Sequence, residues 1–259
     1  MMPNKIKILN VQFHRVNMKD SIKLIEKFIS DKKKHQVCVP NVYTTVLMQK
    51  DDELKKIHNS CSLTVTDGMP LVWVSRLYSK PIPERVAGPD LFQEFFKRTV
   101  QKGYSSFFLG STPSSLKEMI RNLKEKYPSL KIAGIYSPPF MKEFPEEENQ
   151  KMIKIINKAK PDILWVGMTA PKQEKWIARN LDKLDVPVSI GVGAAFDFIA
   201  GRAKRAPTWM QKISLEWFYR LCQEPERLWK RYLVGNTTFT WLVLKELVKL
   251  RILSKKNKF

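Results

Sequence analysis

Six short apolar runs punctuate the chain, and each stops at a glycine or a polar turn: QVCVPN (36–41), SLTVTDG (62–68), SSFFLGS (105–111), KIAGIYS (131–137), DILWVGM (162–168) and VSIGVGA (188–194). Between them lie stretches with helical spacing, such as 114–127, opened by Pro113, and 146–158. Runs that are apolar nearly throughout suit strands covered on both faces, and interposed helices supply the cover. The alternation predicts βαβ units and hence an α/β chain with a mostly parallel sheet flanked by helices. Ligands of such sheets bind beyond the carboxyl ends of the strands. Asp67, Gly110, Gly167 and Gly193 all fall at that edge.

The second run raises the sharpest question, because SLTVTDGMPLVW sets a carboxylate where a buried strand turns into a buried helix. Asp67-Gly68 is either turn chemistry or the floor of a site. The other turns are as open. Gly110 and Ser111 lead into a Pro-started helix whose free N–H groups suit a phosphate, as do many empty turns. Gly191 and Gly193 form a G-x-G without the third glycine of a dinucleotide fingerprint. Backbone there can approach a diphosphate, while Asp197 is either catalytic or a first-turn carboxylate opposing the helix dipole. Gln173, in PKQEKW behind a strand, suits a sugar hydroxyl or amide, or belongs to a plain helix start. Arg85, in RVAGPDLF, offers a fork for a diphosphate or is a solvated charge.

Charge narrows the partners. With 46 Lys+Arg against 25 Asp+Glu the chain carries +21, which favours nucleic acid, an anionic membrane surface or a phosphorylated substrate. Cys38, Cys61 and Cys222, with His14, His35 and His58, show no metal-ligand spacing, so neither a zinc site nor a disulfide framework is expected. No D-x-D occurs, so any sugar transferase here neutralises phosphate with Arg, Lys and helix ends rather than a metal. MMPNKIKILNVQF lacks the apolar core of a signal peptide, and no run approaches the roughly 18 residues that span a bilayer. A soluble or peripheral chain is expected.

Near residue 201 the character changes. Residues 202–259 hold 14 Lys+Arg against 4 Asp+Glu, and are rich in Trp, Leu and Phe. The expected division is an α/β segment, 1–201, and a basic amphipathic appendage, 202–259. A helix from about 209 to 221 gathers Ile213, Trp217, Phe218 and Leu221 on one face. After a break at Pro225, Leu228, Trp229, Tyr232 and Leu233 continue beside Arg227, Lys230 and Arg231. Such helices lie in a headgroup layer; packing on the sheet or an oligomer interface are the other uses of the stripe.

Taken in order, PN (40–41), TDGMP (66–70), ERVAGPDLF (84–92), FFLGSTP (107–113), YSPPF (136–140), PDILWVGMTAPKQEKWI (161–177) and GVGAAFDFIAGRAKRAPTWMQKISLEWFYRL (191–221) resemble the WecG/TagA/CpsF family of bacterial glycosyltransferases. The resemblance implies a Rossmann-like fold. It also implies transfer of a sugar from a UDP-sugar donor to a polyprenyl-diphosphate sugar acceptor, with inversion and without a required metal or other cofactor, on the inner face of the bacterial plasma membrane. In this resemblance Asp67 matches the proposed general base, Asn41 the Asn of a T-x-N motif, Arg85 a diphosphate ligand and Gln173 the glutamine of P-x-Q-E-x-W. The family threonine is Val39 here, which leaves Thr44 or Thr45 to substitute for its hydroxyl. Arg220, Arg227, Lys230 and Arg231 match the element that docks on the membrane and closes over the active site. A nucleic-acid-binding module lacks any recognisable motif and leaves Asp67, Arg85 and Gln173 unexplained, so no nucleic acid is expected. A catalytically silent scaffold of a polysaccharide assembly complex rests on Val39 alone. Self-association stays open.

Overall fold

The structure, a computed structural model, describes residues 2–256, so Met1 and residues 257–259 at the outer ends of the two expected segments lie outside it. An antiparallel hairpin of β1 (Lys5–Ile8) and β2 (Val11–His14) opens the chain. All six apolar runs then form strands: β3 (His35–Cys38), β4 (Leu63–Thr64), β5 (Ser105–Gly110), β6 (Lys131–Tyr136), β7 (Ile163–Gly167) and β8 (Val188–Gly191). They make one six-stranded sheet in the order β4-β3-β8-β7-β5-β6, and every neighbouring pair is parallel. The α/β reading holds in full. The hairpin, short and partly charged, did not stand out in the sequence.

Both faces of the sheet are dressed by helices. Successive residues of a strand point to opposite faces, so Phe108 and Trp165 enter one core with Phe92, Phe96 and Phe196, while Phe107, Leu109, Leu164 and Val166 enter the other with Trp176 and Ile177. The aromatic core is built on the helix Gly88–Lys102, whose Phe92 and Phe96 rings meet edge to face at 4.7 Å. Helix starts follow local chemistry: Thr112 caps Pro113–Lys126 by accepting from Ser115 N at 3.2 Å. Cys38 and Cys61 are buried, Cys222 is exposed, and all three are free.

The C-terminal part differs from the expectation of one helix over 209–221. Two helices, Thr208–Lys212 and Glu216–Gln223, are separated at Ser214, which takes a left-handed φ of 66°. Apolar spacing alone does not register such a break. Pro225 starts a new helix to Trp229, as the sequence suggested. A π-helical turn, Lys230–Val234, and the long helix Gly235–Lys256 follow. Phe239 and Val243 of that helix are buried with Ile8, Val11 and Phe13 of the hairpin and with Leu71 and Val72. Its Glu246 accepts from Tyr78 Oη at 2.5 Å and from Leu9 N at 3.1 Å. One face is thus an ordinary packed face; the other exposes Trp241, Leu244 and Val248. Among the described residues no helix is long and apolar enough to cross a membrane.

At the edge where β5 and β7 end, Gly110 lies opposite Gly167 with φ +123°, and a Cβ on it would sit 2.5 Å from the Gly167 carbonyl oxygen. Backbone cannot yield there. Gly110→Ala is expected to destabilise the chain by about 2–3 kcal/mol. Gly88→Ala, whose Cβ meets only contacts of 3.6 Å and beyond, is expected to cost under about 1 kcal/mol. Denaturant midpoints of both variants check the pair.

Candidate functional site

Two turns at the carboxyl edge are tied together. Beyond β3 the chain turns at Asn41 into the helix Val42–Leu47, which Asn41 caps reciprocally: its Oδ1 accepts from Thr44 N at 3.1 Å, and its N donates to Thr44 Oγ1 at 2.8 Å. Beyond β4, Asp67 N donates to Pro40 O at 3.0 Å. Gly68, at φ 147°, then turns the chain into the helix Met69–Leu77, with Pro70 in its first turn. Gly68 and Pro70 make the turn, and the turn sets Asp67 at the edge of the sheet.

Asp67 lines a cleft of about 150 Å³ between this edge and the C-terminal segment. Asn41, Tyr43, Arg85 and Phe198 line it from the α/β body; Glu216, Trp217, Arg220, Arg231, Tyr232 and Asn236 line it from beyond residue 201. Burial pushes the Asp67 carboxyl up to about 6; Arg85 opposes that, the carboxylates of Glu216 and Asp90 reinforce it, and the Gly88 N–H opposes it by hydrogen bonding.

The cations of the cleft are held differently. Arg85 donates from Nη1 to Glu216 Oε2 at 3.1 Å and from Nη2 to Asp90 Oδ2 at 3.3 Å. Arg205 completes a ring, donating from Nε to Glu216 Oε1 at 3.2 Å and bonding both oxygens of Asp90. Arg220 lies over the Phe198 ring at 5.4 Å and is 3.9 Å from Glu224. Arg231 stacks on Tyr43 at 4.5 Å, and its buried Nε has no hydrogen-bond partner among the described residues. Burial holds the Arg231 pKa below its usual value, and neighbouring Arg220 adds to that. The tyrosines Tyr232 and Tyr43 and the Asp67 carboxylate favour its charged form, and a guanidinium on an aromatic face with a free N–H is a ready ligand for an anion.

Of the residues singled out from the sequence, the cleft therefore gathers Asn41, Asp67, Arg85, Arg220 and Arg231. Others have different tasks. Thr44 and Thr45 are buried with their hydroxyls on the Asn41 carbonyl, at 3.0 and 2.8 Å, so neither lines the cleft in place of the missing hydroxyl at Val39. Gln173 is buried under the G-x-G turn, where its Oε1 accepts from Gly193 N at 3.0 Å and its Nε2 donates to Glu174 at 2.9 Å. Gly191 is small for the same reason: a Cβ would meet Gln173 at 2.9 Å. Gly110 and Ser111 sit at the neighbouring β5 edge, with Ser111 Oγ donating to Asp197 at 3.4 Å, outside the residues that line the cleft. Arg227 points outward, paired with Glu224, and Lys230 is exposed over Trp229.

Sequence reasoning missed Tyr43, Asp90, Phe198, Arg205 and Glu216, and it put Trp217 and Tyr232, which line the cleft, on the apolar stripe of the appendage. Asp90 and Glu216 stand in helix first turns, where a carboxylate has an ordinary reason to be. Only their common partners mark them, and those lie up to 131 positions away. Among the described residues no group of three or more His, Cys, Asp or Glu side chains could hold a metal ion.

The sequence has counterparts among known proteins. The enzyme named N-acetylglucosaminyldiphosphoundecaprenol N-acetyl-beta-D-mannosaminyltransferase of Bacillus subtilis (strain 168) is 33% identical over 240 residues, covering 92% of this chain and 91% of the relative. The same-named protein of Bacillus spizizenii is 34% identical over 175 residues, 68% of this chain and 65% of the relative. That of Staphylococcus aureus (strain MW2) is 27% identical over 229 residues, 88% and 86% of the two chains. Residues 6–252 match the Glycosyl transferase WecG/TagA/CpsF family. A parallel α/β sheet with a carboxylate and arginines at its carboxyl edge thus belongs to an enzyme: the chain is a member of the WecG/TagA/CpsF family of glycosyltransferases.

Proposed function

We propose that the chain moves a sugar, N-acetylmannosamine or a related hexose, from a UDP-sugar to a sugar carried on a polyprenyl diphosphate, for cell-surface polysaccharide or teichoic acid synthesis. The observation that carries this reading is the pairing, in one cleft, of a carboxylate raised to about 6 with Arg231, a buried cation whose Nε has no hydrogen-bond partner among the described residues. A raised carboxylate is a better base than an ordinary one and is still largely ionised near neutrality. An adjacent guanidinium suits a leaving diphosphate. Relatives named for an undecaprenyl-diphosphate acceptor support the acceptor class.

The chemistry is a direct displacement. Asp67 takes the proton from the acceptor hydroxyl as that oxygen attacks the anomeric carbon from the side opposite UDP, so configuration inverts. One carboxylate suffices, and no covalent intermediate forms. Arg231 and Arg220 take up the charge that develops on the departing diphosphate, with Arg85 at the rim. The amide nitrogen of Asn41, which the capping box does not use, is a donor for a substrate oxygen. Metal-free transfer fits the missing D-x-D.

Residues 202–259 act in this proposal as an appendage that brings the enzyme to the membrane, on its cytoplasmic face. Trp209, Phe218, Trp229, Leu233, Trp241 and Val248 are exposed on it, among Lys204, Arg227, Lys230, Lys245 and Lys249. Each Lys or Arg near an anionic surface contributes about 1 kcal/mol.

Asp67→Asn is expected to lower turnover about a hundred- to ten-thousandfold. The raised carboxyl holds its proton to higher pH in the folded than in the unfolded chain, so its contribution to stability falls as pH rises from about 4 to about 6. The variant should accordingly melt no lower than wild type at pH 7. In wild type, kcat/KM should rise through about pH 6 and level off above it. Near-wild-type turnover by Asp67→Asn removes Asp67 from the role. Substituting Trp209, Trp229 and Trp241 by Ser in the full chain should weaken flotation with anionic liposomes at least about tenfold; unchanged flotation counts against the membrane role.

A further inference from the structure

The ring of Arg85, Asp90, Arg205 and Glu216 crosses the boundary between the α/β body and the C-terminal segment. Two members belong to the body: Arg85 precedes the helix Gly88–Lys102 and Asp90 stands in that helix's first turn; Arg205 lies in the stretch that leads from the helix Ala195–Ile199 into the C-terminal segment. Glu216 alone comes from the helix Glu216–Gln223. Each carboxylate bridges both arginines, and side-chain exposures of 16% to 34% place the ring half out of water. Two of the four, Arg85 and Glu216, also line the cleft beside Asp67.

An ion pair at a surface needs only one partner on each side. Here Arg205 occupies Glu216 Oε1, which leaves Oε2 to hold Arg85 Nη1, while Asp90 holds Arg85 Nη2. The Arg85 fork is therefore clamped at both ends, and its direction depends on where the C-terminal segment sits. The same clamp brings an uncompensated consequence to the cleft: two arginines and two carboxylates cancel, so the ring adds no net positive charge beside Asp67.

We propose that Glu216 is a positioning residue for the transfer reaction, which aims the Arg85 guanidinium and keeps a negative charge beside the Asp67 carboxylate. This rests on the reading of Asp67 as the base. The charged and titratable groups facing Asp67 are Arg85 from its own side of the sheet, Asp90 behind it, Tyr43 from the helix after β3, and Glu216, Arg220, Arg231 and Tyr232 from the C-terminal segment. Glu216 and Asp90 favour the protonated form, and Arg85 opposes it. Neutralising Glu216 removes a charge that keeps Asp67 basic.

Titration of Asp67 by carboxyl carbon NMR in the full chain tests this, with Asp67→Asn identifying the signal. Glu216→Gln should move the Asp67 midpoint down by about one pH unit. Asp90→Asn should move it in the same direction and serves as the second variant if Glu216→Gln does not fold. Glu216→Asp, which keeps the charge, should restore the midpoint to near wild type. In transfer assays the Glu216→Gln pH profile should follow the titration, with kcat reduced about tenfold and donor KM changed less than about threefold. A role in stability alone predicts a lower melting temperature with the Asp67 midpoint unmoved in both variants, and that result overturns the proposal. Because the titration needs no turnover, a wild-type chain that transfers from none of the UDP-sugars offered counts against the proposed function and leaves the reading of Glu216 to the midpoint.

Discussion

The parallel pairing of β3 with β8 is the constraint on which the rest of the molecule depends. His35 lies opposite Val188 and Val37 opposite Ile190, joining segments more than 150 positions apart. Before that pairing the chain has two incomplete sheets: β3 with β4, carrying Asn41 and Asp67, and β5 to β8, carrying the glycine turns. Joining them covers apolar strands that have no exposed face to offer, since parallel strands of this kind must be buried on both sides. It also brings Phe198, in the helix after β8, to the same cleft as Asp67, just past β4. The cleft is a consequence of strand order.

The C-terminal segment completes what the sheet begins. Its last helix is anchored on the hairpin and on the helix Met69–Leu77 through Phe239, Val243 and Glu246. Anchored there, the preceding turns carry Glu216, Arg220 and Arg231 over the sheet edge. The same segment thus has an inner surface of ions and rings around the cleft and an outer surface of exposed tryptophan, leucine and lysine. In the proposed function those two surfaces would link catalysis to attachment, because an acceptor held in a bilayer and a base held in a sheet meet only where the segment touches both.

Much of this was legible in the residues. All six strands of the sheet and the position of Asp67 at its edge could be read directly, whereas Arg220 and Arg231 came only from the family resemblance, in company with Arg227 and Lys230. Other candidates are engaged by the protein itself. Gly191, Gly193 and Gln173 have the composition of a ligand loop, yet they are small and amide-bearing because they pack on one another. Thr44 has a hydroxyl near Asn41, but a helix N-terminus needs that hydroxyl more than a substrate does. Arg227 and Lys230 share a helical stretch with Arg231 and face the other way. Residue type states what a side chain can bond; the partner that claims it is a matter of three dimensions.

Local pattern by itself determined the six strands of the parallel sheet, most helix starts and the turn at Asp67-Gly68, because periodicity, proline and glycine act over a few residues. It determined as well that the chain is basic, and where that charge is densest. Only the tertiary structure decided the strand order, the break at Ser214, and the closure of Arg85, Asp90, Arg205 and Glu216 into a ring. Those depend on contacts between positions far apart in the chain, made when packing of the whole core brings them within a few ångströms, and no window of sequence holds both partners.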